Sequence, residues 1–355
     1  MTKKILFICG SINQTSQMRQ VSEHLSGYDH WFTPYYADGI LDLLRRMHLL
    51  EFSILGSKML RRCLSYLKAH DMQVDFQGRR NTYDLVLTCS DLVMPRNIRG
   101  AKVVLVQEGM TDPENAAYRM YKILPFLPRW IASTSTTGLS DLYDSFCVAS
   151  DGYRDLFIRK GVRPEKIVVT GIPNFDNCRK YLNNAFPHRG YVLVCTSDSR
   201  ETFKWENRKG IIRRAFRIAN GRQLIFKLHP NERVERATRE IHKIAPEALV
   251  YPAGNTEEMI ANCDCLITRY SSVVYVGLAL GKEVYSGFNM EELKHLTPLQ
   301  NASAAGNIAG ICRRLLEDSA YRPPGVLSPD GLRGEKTRAN RVVHAFLASL
   351  RGARS

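Results

Sequence analysis

One histidine and two adjacent serines are the first candidates for chemistry in this sequence. His229 and Pro230 follow an apolar, β-rich run, and a proline directly after such a run indicates that the strand ends there. Ser271 and Ser272 follow a second such run and precede an apolar stretch typical of a buried helix. The start of a helix favours anions, because of its free amide groups and its dipole. The spacing therefore predicts a phosphate site, with the imidazole on a second oxygen of the same group.

Each of these residues also has a simpler structural interpretation. Ser271 or Ser272 could cap the helix that follows, and His229 could be a hydrogen-bonded histidine of the core. Both features, however, occur at equivalent strand ends of one alternating strand–helix series. Open α/β sheets bind their ligands at such strand ends. We therefore favour phosphate binding.

Further residues near the same strand ends complete the predicted binding site of the donor nucleotide: Lys227, Pro230, Tyr251, Glu258 and Arg269. Side-chain alternation along a strand directs Lys227 to the same side as the histidine two positions later. Tyr251 ends the next predicted strand, and Glu258 lies in the first turn of the helix after it.

A second candidate site lies in the first half of the chain. The apolar run 102–106 ends at Gln107, Glu108 and Gly109. A carboxylate at the carboxyl end of a strand, beside a glycine that keeps the chain open, is a plausible general base. A solvated loop glutamate is the equal alternative. Ser11, in the turn after the first strand, is assigned to the same side of the predicted cleft.

Strand and helix patterns alternate along the chain. The predicted strands are residues 5–8, 83–88, 102–106, 145–149, 166–170, 191–196, 223–228, 248–251, 265–268 and 283–286. This alternation is typical of parallel sheets with crossover helices, and 355 residues exceed what one core usually holds. We therefore predict an α/β fold with two Rossmann-like domains that face a central cleft.

The domain boundaries follow from changes in composition. Residues 1–177 form the predicted acceptor-side domain, and the polar stretch 178–189 is the linker. Residues 190–335 form the predicted donor-binding domain, and 336–355 a closing amphipathic helix that packs back across the junction. The segment 40–70 combines leucines at helical spacing with arginines, which suits contact with anionic lipid. An ordinary packed helix pair is the favoured interpretation of that segment.

Composition narrows the partners and the compartment. The formal charge of +15 attracts polyanions, but no nucleic-acid-binding motif is present. We therefore expect a phosphorylated substrate and an anionic membrane surface rather than nucleic acid. Nine scattered cysteines without a C-x-x-C pair predict reduced core thiols of a cytoplasmic protein. No apolar run reaches membrane-spanning length, so any contact with the inner membrane is expected to be peripheral.

These patterns together resemble the GT-B glycosyltransferases. The run 257–286 looks like the donor half of bacterial surface-polysaccharide transferases. The run 170–176 resembles the end of the first domain in capsule-type transferases and in UDP-N-acetylglucosamine 2-epimerases. The His229–Pro230 pair and the paired serines are similar to motifs of bacterial sialyltransferases and polysialyltransferases. That resemblance implies that both bind the phosphate of a CMP-activated sugar.

The third motif of those enzymes, two acids followed by glycine, is incomplete in this chain. Gln107 stands at the first acidic position, so the resemblance leaves the role of base to Glu108 or to another residue. CDP-glycerol glycerophosphotransferases carry similar His-Pro and Tyr-Ser-Ser patterns. The sequence does not separate a CMP-sugar donor from CDP-glycerol.

We therefore predict a glycosyltransferase that moves a sugar, with a sialic-acid-like or Kdo-like CMP-sugar favoured, to a surface glycan or lipid-linked acceptor. Glu108 would accept the proton of the acceptor hydroxyl, and His229 with the paired serines would stabilise the leaving nucleotide. No Asp-x-Asp pair occurs, so we expect neither metal nor cofactor. The alternatives are a CDP-glycerol-type transferase, a 2-epimerase-like isomerase and a non-catalytic binder of anionic glycans or lipids.

Overall fold

The computed structural model describes residues 2–51, 55–114, 116–124, 128–197, 199–201 and 206–318. A first parallel sheet has the strands β1 (Lys4–Ile8), β2 (Asp29–Thr33), β3 (Leu85–Thr88), β4 (Lys102–Val106), β5 (Ser145–Val148) and β6 (Ile167–Val169). Their order across the sheet is β2-β1-β3-β4-β5-β6. The residues packed on this sheet are called the first lobe.

A second parallel sheet forms the core of the second lobe. Its strands are β7 (Val192–Cys195), β8 (Leu224–Lys227), β9 (Leu249–Tyr251), β10 (Cys265–Ile267) and β11 (Glu283–Tyr285). They are arranged in the order β11-β10-β7-β8-β9. The two sheets confirm the predicted α/β fold with two Rossmann-like units.

Helices cover both faces of each sheet. Within the described residues they are α1 (Ile12–Glu23), α2 (Gly39–Arg46), α3 (Ser57–Ala69), α4 (Ala116–Ile123), α5 (Asp151–Lys160), α6 (Arg208–Ala219), α7 (Val234–His242), α8 (Thr256–Asn262), α9 (Val274–Ala279), α10 (Met290–Leu296) and α11 (Ala304–Glu317). Covered parallel strands are buried on both sides, which explains their nearly continuous apolar sequences.

All ten predicted strands are present, and one strand was missed. β2 has the sequence Asp-His-Trp-Phe-Thr and pairs with β1 at one edge of the first sheet. Its first three residues are only partly buried, so its sequence lacks the apolar run that marks the central strands. The predicted helical segment 40–70 contains α2 and α3, and α3 packs against α1 as an ordinary core helix.

Helix α11 returns to the first lobe. Its apolar side chains, including Ile308, Cys312 and Leu315, are buried in the same cluster as residues of β1, β3 and β4. The carboxylate of Asp176 accepts hydrogen bonds from the main-chain amides of residues 302 and 304 and so fixes the start of this helix. The sequence instead predicts α11 within the second domain, residues 190–335. The closing helix predicted at 336–355 lies outside the described residues, and the other boundaries remain predictions.

All nine cysteines are buried and unpaired. Burial raises the pKa of the Cys9 and Cys147 thiols, so these groups are held in the protonated form. In the part of the chain that the structure describes, no helix has the length and apolar character needed to cross a membrane.

Candidate functional site

A large opening of the first lobe lies where its strand order reverses. The chain runs from β1 to β2 on one side and then continues with β3 on the other, so β1 and β3 flank the reversal point. Open α/β sheets bind ligands at this point, outside the carboxyl ends of the strands. A cavity of about 530 Å³, called here the main cavity, opens there. Its lining includes Glu108 from the first lobe and Ser272 from the second.

The carboxylate of Glu108 is held on both oxygens by the start of helix α1. Ser11 donates from Oγ to Oε1 of Glu108 at 2.9 Å, and Gln14 donates from Nε2 to Oε2 at 2.7 Å. The amide oxygen of Gln14 in turn accepts the main-chain N–H of Gly10 at 2.9 Å. A carboxylate fixed in this way keeps one orientation towards the cavity.

The surroundings of Glu108 favour its protonated form more than water does. Burial raises the pKa of the Glu108 carboxyl, and the hydrogen bonds from Gln14 and Ser11 oppose that rise. Tyr36 is buried beside it, and burial together with the Glu108 charge raises the pKa of the tyrosine hydroxyl. A raised carboxyl pKa is the condition under which a glutamate exchanges protons near neutral pH.

Gly10 leaves room for this arrangement. A Cβ atom at position 10 would lie 2.7 Å from Oε1 of Gln14 and 2.9 Å from the Tyr36 ring. Contacts this short do not occur without movement of a neighbour. The absence of a side chain at Gly10 therefore lets Gln14 reach Glu108.

Gln107 has a structural role that explains why it is not an acid. Its Nε2 donates to the carbonyl of Gly109 at 2.8 Å, while its Oε1 accepts the main-chain N–H of Ala149 at 2.9 Å. A carboxylate accepts hydrogen bonds but does not donate them, so it could not make both contacts. Gln107 thus shapes the loop that carries Glu108, and Gly109 places that loop against the second lobe. A Cβ at Gly109 would lie 3.6 Å from Cβ of Ser272.

The two serines form a turn before helix α9 and do not start the helix themselves. The main-chain oxygens of Ser271 and Ser272 accept the N–H groups of Val274 and Tyr275. Ser271 Oγ also accepts the N–H of Val273 at 3.5 Å. These amides are therefore engaged within the turn, and the expectation that helix amides assist phosphate binding was wrong for them. The Ser272 side chain lines the main cavity.

His229 lies at the carboxyl end of β8, as predicted, but away from the serines. β7 stands between β8 and β10, so the two strand ends are roughly 10 Å apart at ordinary strand spacing. His229 does not line the main cavity. Its main-chain N–H donates to Thr196 Oγ1 at 3.1 Å and to Glu232 Oε2 at 3.0 Å. The buried Glu232 is paired with Arg208, so a buried ion pair fixes the His229–Pro230 loop.

Lys227 and Arg269 occupy different surroundings. Lys227 is buried, its Nζ donates to the carbonyl of Leu228 at 2.9 Å, and burial lowers its pKa. Arg269 lies with its guanidinium 5.2 Å from the ring centre of Tyr270 and lines a separate cavity of about 180 Å³. Neither cation lines the main cavity.

Tyr251 and Glu258 make local contacts in the second lobe. The Tyr251 hydroxyl is 2.9 Å from Nε2 of His188, and its ring packs against Phe186. Glu258 accepts a hydrogen bond of 3.0 Å from the side chain of Asn255, which caps helix α8. In this structure, Tyr251 therefore packs against the segment predicted as the linker, and Glu258 supports a helix start.

Sequence reasoning missed Gln14, although a signal was present. Ser11 and Gln14 stand three residues apart at a helix start, the spacing of a capping box. It also missed a second opening of about 230 Å³ between the lobes, lined by Ser272, Asn174 and Lys180 among others. Lys180 belongs to the stretch predicted as a linker and brings a cation near the Ser272 turn.

No protein-family model matches the chain, and no curated protein is similar to it in sequence. Solved structures, in contrast, are similar over nearly the whole length. MnaA of S. aureus, in a structure with UDP, has a TM-score of 0.58 and 14% identity, with 91% of this chain and 99% of that chain covered. A putative UDP-N-acetylglucosamine 2-epimerase from Listeria monocytogenes has a TM-score of 0.57 and 13% identity, with 91% and 98% covered.

A third similar structure is the UDP-GlcNAc 2-epimerase from Neisseria meningitidis bound to UDP-GlcNAc. Its TM-score is 0.51 and its identity 14%, with 97% of this chain and 100% of that chain covered. At such low identity the likeness concerns the backbone alone. The chain therefore shares the two-lobed fold of the GT-B type with these proteins.

Proposed function

We propose that this protein is a transferase that moves a group from a nucleotide-activated donor to an acceptor hydroxyl. The observation that carries the proposal is the main cavity, in which the fixed carboxylate of Glu108 and the side chain of Ser272 approach from opposite lobes. A base on one lobe and a phosphate-binding hydroxyl on the other are what transfer between two bound substrates requires.

Glu108 acts as the general base in this proposal. Its carboxylate accepts the proton of the acceptor hydroxyl as that hydroxyl attacks the donor, and its raised pKa suits this step near neutral pH. Ser11 and Gln14 keep the carboxylate oriented. Ser272 and Ser271 donate hydrogen bonds to the donor phosphate, where negative charge grows as the bond to the leaving nucleotide breaks. Metal independence remains a prediction from the absence of an Asp-x-Asp pair.

The donor we favour carries two phosphates. In this proposal the donor contacts both the Ser272 turn and His229, although His229 lies outside the main cavity. The two strand ends are roughly 10 Å apart, a distance that a diphosphate spans more readily than a monophosphate. Two of the similar structures hold UDP or UDP-GlcNAc. The similar structures lend no support to the CMP-sugar that the His-Pro and paired-serine motifs favour. A UDP-sugar or a CDP-linked group such as CDP-glycerol is therefore the proposed donor class.

A 2-epimerase-like isomerase is the alternative that the shared fold suggests. Moving a proton off and onto one sugar carbon needs more than one acid–base group around that sugar. Among the described residues that line the main cavity, Glu108 is the single carboxylic acid and there is no histidine. One base facing a donor-binding hydroxyl fits transfer better than isomerisation.

The test is to incubate the protein with UDP-GlcNAc, CDP-glycerol and a CMP-sugar and to measure nucleotide release and isomer formation by NMR. The proposal expects release of UDP or of CMP from CDP-glycerol, dependent on added acceptor alcohol and unaffected by EDTA. Glu108→Gln should lower the rate at least 100-fold, within the range for loss of a general base. Conversion of UDP-GlcNAc to its 2-epimer without acceptor would establish the isomerase instead.

A further inference from the structure

We propose that the main cavity binds an apolar segment of the acceptor, so that the attacking hydroxyl belongs to an amphiphilic alcohol. This inference rests on the proposed function, because it takes Glu108 as the base. It adds the chemical class of the acceptor, which neither the fold nor the motifs define.

Much of the wall of the main cavity away from Glu108 is aliphatic or aromatic. Helix α2 and the loop after it supply four leucines, the loop after β3 supplies a leucine and a valine, and the segment before residue 133 supplies a tryptophan. These residues are Leu41, Leu44, Leu50, Leu55, Leu92, Val93 and Trp130. A cavity of about 530 Å³ lies within the range of small-molecule binding sites.

One group of polar residues in the cavity lies at the strand ends of the first sheet, and a second group, at positions 133, 134 and 137, lies on the segment that carries Trp130. The residues of the first group, Gln14, Tyr36, Ser90 and Glu108, follow β1, β2, β3 and β4 in that order. Sugar hydroxyls pressed against the leucine walls would lose their water without gaining partners, which is unfavourable. Methylene groups placed there lose no hydrogen bond and gain from burial. The arrangement therefore suits a molecule with a hydroxyl at one end and an aliphatic chain at the other.

One residue of this apolar wall is also open to solvent. Trp130 lines the cavity, yet 47% of its surface remains accessible to solvent. An acceptor with an extended tail would leave the cavity past Trp130.

A series of alkyl β-D-glucosides with methyl, butyl, hexyl and octyl chains tests the inference, each used below its micelle concentration. Binding is measured by calorimetric titration to the full-length protein in the absence of nucleotide. Affinity should increase about fourfold for each added methylene. Equal affinity of the methyl and octyl compounds, or no binding by any of them, would overturn the inference.

Variants locate the binding and separate its failure from that of the proposed function. Leu44→Gln and Leu92→Gln should each weaken octyl glucoside binding at least tenfold. Leu43→Gln should not, because Leu43 lies on the same helix but is 55% exposed and does not line the cavity. Thermal shift with UDP and CDP is recorded on every variant and confirms that each is folded. Nucleotide binding without chain-length dependence would contradict the proposed amphiphilic acceptor but not the proposed transferase function. Chain-length dependence without nucleotide binding would support the apolar binding site but contradict the proposed transferase.

Discussion

Replacing Gln14 by leucine tests how Glu108 is held. Leucine is close to glutamine in size but has no hydrogen-bonding group, so the change removes the 2.7 Å contact to the carboxylate. It also removes the partner of the Gly10 amide. The free energy lost with the Glu108 contact depends on the charge of Glu108 and therefore on pH. The free energy lost with the Gly10 contact does not depend on pH.

The magnitude follows from the two forms of the carboxyl group. A hydrogen bond to a charged group contributes about 1.5–3 kcal/mol and a neutral one about 0.5–1.5 kcal/mol. Their difference of about 1–1.5 kcal/mol corresponds to a rise of about one unit in the pKa of Glu108. In the wild type that pKa is already raised in the folded state by burial. The contribution of such a group to the free energy of unfolding is full below its unfolded pKa and is lost as pH rises through the folded pKa.

The Gln14→Leu variant should therefore lose about 1 kcal/mol more at pH 8 than at pH 4, relative to the wild type. Urea denaturation followed by far-UV circular dichroism measures both values. The same substitution in a Glu108→Gln background should have a cost that does not change with pH. A pH-independent cost in the wild-type background, or a pH-dependent one without Glu108, would refute the assigned hydrogen bond.

Three further substitutions test the packing around the site, each by urea denaturation. Gly10→Ala should lower the free energy of unfolding by about 1–3 kcal/mol, because the new Cβ would lie 2.7 Å from Gln14 Oε1; a neutral result would mean that this side chain moves freely. Asp176→Ala should cost about 1–2 kcal/mol through loss of the contacts that fix the start of α11, and a wild-type value would contradict that role. Tyr275→Phe should cost about 1 kcal/mol by breaking the 2.7 Å contact to the Tyr153 hydroxyl, and a stabilised variant would show that this buried contact is unfavourable.

Local sequence was a good guide to the strands. A strand covered on both faces has to be apolar throughout, so runs such as Lys102–Val106 stand out from their surroundings. β2 is only partly buried, and its polar residues interrupt the apolar run that would have indicated a strand. Local patterns were a poorer guide to partners. The amphipathic pattern of α11 shows that one face is buried, but not which sheet it covers.

Strand order limited the prediction of the site. The sequence indicated that His229 and Ser272 both follow strands, but not that β7 lies between those strands. Ser11 was assigned to the first lobe without its contact to Glu108, because that contact depends on how far apart β1 and β4 stand in the sheet. Gln14 was the one residue of the site whose role a short-range rule, the capping pattern, would have suggested.

The central claim is that Glu108 and Ser272 face one cavity, in which the phosphate of a nucleotide-activated donor binds at Ser272 and the acceptor hydroxyl at Glu108. Calorimetric titration of UDP and CDP into the wild type, Ser272→Ala and Glu108→Gln tests it most directly. The account predicts binding by the wild type, a loss of about tenfold for Ser272→Ala from one hydrogen bond to a charged phosphate, and unchanged binding by Glu108→Gln. Absence of nucleotide binding, or equal affinity of the wild type and Ser272→Ala, would contradict it.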